Sequence, residues 1–77
     1  MNANRRERIQ KLISQIEGLV QEAAELRDEE QDAFDNMPES LQGSEKGEAA
    51  SSACDALDTA VSELESAQGS LSDATDA

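Results

Sequence analysis

Seventy-seven residues give room for one domain with a thin core. Eighteen Asp and Glu against six Lys and Arg leave a net charge of −12, which opposes direct binding to nucleic acid or an anionic membrane and suits a basic protein surface as partner. His, Tyr and Trp are absent, there is no Gly-rich phosphate loop, and no Ser or Cys has an identifiable base, so an enzyme is not expected, nor a cofactor or a metal site.

The first helix is predicted from Asn4, a candidate cap with Glu7 three residues on, to Asp35. Its seven-residue register puts Ile9, Leu12, Ile16, Leu19, Ala23 and Leu26 at the a and d positions, with Ile13 and Val20 widening the stripe. Residues 1–11 carry Arg5, Arg6, Arg8 and Lys11 against Glu7 alone, so the acidity lies in the rest of the chain. On the outer face Glu25, Asp28, Asp32 and Asp35 follow one another at three- and four-residue steps, close enough to form a continuous negative stripe. Glu22 and Glu29 flank it, and Glu39, Glu45 and Glu48 extend it around the loop end. Glu25, Asp28, Glu29, Asp32, Asp35 and Glu39 are the candidate partner-binding residues. The bland alternative is a solvated face that serves solubility.

Glu30 falls at an a position that should be apolar. It is read as a residue that fixes register, as the wall of a polar notch, or as a carboxylate reaching solvent beside Arg27. An antiparallel turn near residues 40–41 would bring it opposite Ser51 and Cys54. Asp28 to Glu39 also spaces oxygen ligands as a calcium loop does, but Ala33 stands where the turn glycine is needed and the residues continue the helix better.

Pro38 disfavours helix at Met37 and opens a connection over residues 36–44, with one short turn that folds Leu41 inward. Ser44 is a candidate cap for a second helix over residues 45–74, weakened by Gly47 and Gly69. Here Leu57, Leu64 and Leu71 take the a positions and Ala53, Ala60, Ala67 and Ala74 the d positions, a seam of large and small residues suited to close approach. Ala49, Ala53, Ala56 and Ala60 form the candidate oligomer or helix-packing face. The single Cys54 gives no intramolecular disulfide and fits as a small hydrophobe.

Together these features predict one all-α domain, an antiparallel, coiled-coil-like two-helix hairpin. With about fourteen large apolar side chains a lone hairpin is marginal, so self-association is expected, most simply a dimer forming a four-helix bundle. The three basic residues near the start should lie beside Asp73 and Asp76, each set against its own helix dipole. No apolar run reaches the length of a membrane span and no signal-peptide core follows Met1, which makes cytoplasmic residence the default expectation.

The run RDEEQDAFDNMPESLQGSEKGE (Arg27 to Glu48), followed by ALDTAVSELESA (Ala56 to Ala67), resembles a group of short acidic helical proteins encoded in phage and prophage genomes. The likeness covers most of the chain and is most specific at Phe34–Gly43. It implies a context in which small acidic proteins inhibit host or defence proteins in the host cytoplasm. The leading functional expectation is therefore a non-catalytic inhibitor that presents an acidic surface. The alternatives are an oligomer that binds or sequesters a small, nucleotide-like ligand, and a structural assembly protein.

Overall fold

The computed structural model describes residues 1–77 as three helices without a strand: α1 (Ala3–Asp35), α2 (Glu39–Gln42) and α3 (Glu45–Thr75). The Asn2 backbone is extended, and its side-chain oxygen accepts the Arg5 N–H at 2.8 Å. This cap comes one half-turn earlier than the expected one at Asn4, which lies inside α1. Asn2 already supplies the acceptor, and no Pro or Gly keeps Ala3 and Asn4 out of the helix.

The chain leaves α1 through backbone bonds from Asn36 N–H to the Asp32 carbonyl and from Met37 N–H to the Phe34 carbonyl. Pro38 then starts the single turn of α2, its carbonyl accepting from Leu41 and Gln42 at 2.8 and 3.2 Å. The Gln42 side-chain amide folds back and donates to the Phe34 and Met37 carbonyls at 3.2 and 3.3 Å. It thereby satisfies acceptors that the end of α1 leaves open. Gln42, half-buried, takes the inward position of this turn, whereas Leu41 is about half exposed, contrary to the expectation that it folds inward.

Ser44 caps α3: its Oγ accepts the Gly47 N–H and donates to the Leu41 carbonyl. Gly47 is buried against the connection, and a Cβ there would collide with the Gln42 and Leu41 carbonyls. This is a close-approach glycine rather than a weak spot.

The long helices pack antiparallel into a rod measuring 58 × 15 × 12 Å. Their register is fixed at several points along its length. Arg6 Nε donates to the Thr75 carbonyl at 3.1 Å, and Gln68 Nε2 donates to the Ile13 carbonyl at 3.2 Å and to Glu17 at 3.0 Å. Arg27 donates to Asp58 at 2.9 Å. The basic start of α1 thus meets the open carbonyls of the last turn of α3, and neither Asp73 nor Asp76 forms the expected ion pair. The main-chain acceptors carry the negative end of the helix dipole, so a cation is favourable there without a carboxylate.

The seam keeps the a positions read in each half and moves the d positions one residue on. From α1 it takes Ile9, Ile13, Ile16, Val20, Ala23, Arg27, Glu30 and Phe34, all partly buried, while Leu12, Leu19 and Leu26 stay 47%, 51% and 50% exposed. From α3 it takes Gly47, Ala50, Cys54, Leu57, Val61, Leu64, Gln68, Leu71 and Thr75, a three–four alternation along the whole helix. Only Gly47, Ala50, Cys54 and Val61 are buried.

Gly47→Ala should destabilise the hairpin by about 1–3 kcal/mol, the usual penalty of overpacking, although Ala is the better helix former. Thermal melts compared with Gly69→Ala, where a Cβ meets open space, check this. The Gly69 change should be neutral or stabilising by up to about 1 kcal/mol.

Candidate functional site

Every residue of the acidic row is exposed: Glu25, Asp28, Glu29, Asp32 and Asp35 on α1, and Glu39 at the start of α2. With the α1 seam centred between the Ile9 and Ile13 positions, Glu25, Asp28, Asp32 and Asp35 fall on the opposite side of the helix. They stand on uninterrupted helix through Asp35, so the oxygens from Asp28 to Asp35 do not form a loop, and no acidic or thiol cluster has the spacing of a metal site. Two members have local partners. Asp28 accepts from Arg27 Nε at 3.3 Å, and Asp35 accepts from the Gln31 amide at 2.9 Å.

Arg27 is the residue whose importance the sequence concealed. Its guanidinium spans the hairpin, bridging Asp28 on its own helix and Asp58 on α3. The two carboxylates, Asp58 first, hold its pKa above the ordinary arginine value. Gln68 is the second such residue, its amide tying the Ile13 main chain to Glu17. That bond, and a weaker one from Gln21, keep the Glu17 carboxyl below the usual carboxylate range. Both residues occupy seam positions one residue beyond the Leu26 and Ala67 that the sequence register placed there.

Glu30 is half-buried on the seam and takes part in no ion pair. Arg27 turns to Asp28 and Asp58 instead, and Lys46 is exposed. The Glu30 charge is felt at Cys54, a buried free thiol. Burial raises the Cys54 pKa, and the charges of Glu30, Asp55 and Asp35 raise it further. Cys54 is therefore a packed thiol rather than a nucleophile.

Two shallow grooves mark the surface. One is lined by Met1, Arg5, Arg8, Ile9, Lys11 and Leu12, an apolar floor under three cations. The other runs along α3 from Asp58 to Ser70 and is mainly polar. Neither includes Glu30, so the polar notch considered for it is not one of them. On the candidate packing face Ala53 and Ala60 are half-buried beside the seam, while Ala49 and Ala56 are exposed one row further out. No helix is long and apolar enough to cross a membrane. No protein-family model, curated protein or solved structure matches the chain.

Two expectations follow from this geometry. Glu30→Leu should raise stability by about 1 kcal/mol or more, because it completes the apolar seam without orphaning a cation; urea melts check it, and a loss of stability would mean that Glu30 has a buried partner. The Cys54 thiol should react slowly with a disulfide reagent at pH 7 in the folded protein and rapidly in urea. Because folding raises its pKa, the folded chain holds this proton more tightly than the unfolded chain. Stability should therefore be unaffected by this group below about pH 8.5, the ordinary thiol value, and should fall as pH rises beyond it. A Cys54→Ala variant should lack that alkaline decline.

Proposed function

We propose that the chain is a non-catalytic interaction protein that works as a self-associated helical bundle, most simply a dimer of four long helices. It presents its acidic loop end to a basic protein surface. The carrying observation is the row Glu25, Asp28, Asp32 and Asp35, exposed on the side of α1 away from the seam and continued by Glu29 and Glu39 around the loop end. A helix holds these charges at fixed spacing, so a complementary basic surface meets them with little ordering cost. Leu12, Leu19 and Leu26, each about half exposed, support self-association, since a hairpin with four buried residues gains from covering them. The resemblance to phage-encoded acidic proteins supports a host or defence protein as the target and inhibition as the outcome; that context rests on the resemblance alone.

The test begins with a pull-down from host lysate at low salt, with mass spectrometry of the retained proteins. Binding to the captured target should weaken steeply as ionic strength rises. Replacing Asp28, Asp32 and Asp35 together by Asn should preserve helicity and lower affinity at least tenfold. Unchanged affinity of this triple variant would reduce the row to a solubility feature.

A further inference from the structure

The two flanks of the rod differ in chemistry. The contacts of Gln68 with Ile13 and Glu17 and of Arg27 with Asp58 lie on one flank, where Gln10, Glu17, Ala24 and Gln31 run beside Asp58 and Glu65. The same register brings Leu12, Leu19 and Leu26 of α1 to the level of Leu71, Leu64 and Leu57 of α3 on the other flank, with Ala53, Ala60, Ala67 and Ala74 following the same line. That flank is apolar along most of the rod. The three α1 leucines on it are about half exposed, and the groove of Met1, Arg5, Arg8, Ile9, Lys11 and Leu12 continues it at the terminal end.

Charge distinguishes the ways of covering it. Twelve of the eighteen carboxylates lie within residues 20–60, accompanied only by Arg27 and Lys46. The other four cations, Arg5, Arg6, Arg8 and Lys11, stand at the opposite end of the rod. Two copies stacked with their loops together would press acidic end on acidic end. Turned end for end, each acidic half lies over the basic groove of the other. One whole side of the rod, 58 Å long and 12–15 Å across, is of the order of the about 800 Å² per partner that a stable interface needs, so the second copy must lie along the rod rather than touch one end of it.

We infer that the apolar flank is covered by a second copy of this chain lying antiparallel, with α1 crossing its counterpart at Leu19 and the basic groove of each copy receiving the acidic α1 segment of the other. This rests on the self-association proposed above and adds its face and direction. The two-fold axis then passes near Leu19. Leu12 meets the second copy's Leu26, Arg5 lies over its Ala33, and Arg8 falls beside its Glu29. Glu25, Asp28, Asp32 and Asp35 stay clear of the contact, because they face away from both the seam and this flank, and of the acidic row on α1 only Glu29 borders it.

Single-cysteine variants in a Cys54→Ala background read the arrangement directly, since a disulfide forms only where Cα atoms approach within about 7 Å. Leu19→Cys should cross-link to itself under mild oxidation. Leu12→Cys and Leu26→Cys should each fail alone and cross-link when mixed. Sedimentation equilibrium should give a dimer mass at micromolar concentration. Arg8→Glu should weaken the dimer at least tenfold, and adding Glu29→Arg should restore it, because the swap re-forms both pairs. Self-linking of Leu12→Cys, or failure of Leu19→Cys in a species of dimer mass, would overturn this arrangement while leaving self-association standing. A monomer mass at all concentrations would overturn both. The variant carrying Asn at 28, 32 and 35 should retain the Leu19→Cys cross-link, so loss of target binding is read separately from loss of the dimer.

Discussion

Two helices lying side by side enclose only a single furrow, and that limit governs the rest of the molecule. A side chain at the bottom of the furrow is fully covered only if it is small, which is why three of the four buried residues are Gly47, Ala50 and Cys54. Larger residues are shielded on one side and wet on the other. The half-exposed leucines are thus a product of the geometry rather than of faulty packing, and an apolar repeat wider than the furrow leaves a surplus along one edge.

Much of the fold was legible because periodicity, Pro38 and Ser44 are local signals. The heptads announce long helices, Pro38 ends the first and Ser44 caps the second. The seam was harder to read. In α1 two adjacent apolar ladders compete, the leucines at 12, 19 and 26 and the β-branched residues at 13 and 20; which one turns inward depends on the partner helix. In α3 the ladder that packs contains Gly47, Ala50, Gln68 and Thr75, which a hydrophobicity count passes over in favour of the alanines at 53, 60, 67 and 74. Gln68 and Arg27 look like interruptions in the sequence, yet they tie the helices together through groups more than thirty residues away. The acidic row needed no partner to be recognised, and the positions named from the sequence are all exposed.

The polar ties lie along one flank and the apolar surplus along the other. Arg27, Asp58, Glu17 and Gln68 fix register with bonds that face water. As solvent-facing bonds they contribute little stability and chiefly exclude sliding by a helical turn. Burial at the other flank is non-directional and would tolerate such a slip. Placing the two kinds of interaction on opposite sides keeps the polar groups solvated and leaves the leucine stretch of the apolar side free of charges that would be costly to cover.

The length of the rod has an electrical consequence. At physiological salt a charge is screened over about 8 Å, whereas the hairpin is 58 Å long. Within one copy the cations around Arg5 and Arg8 therefore cannot soften the field at Asp32 and Asp35; only those of an antiparallel second copy would come within reach. An approaching basic surface responds chiefly to the acidic end, where residues 20–60 hold twelve carboxylates against Arg27 and Lys46 and so carry most of the overall charge of −12. Lengthening two helices is a direct way to keep a cluster of cations and a cluster of carboxylates on one small chain from cancelling each other within that chain.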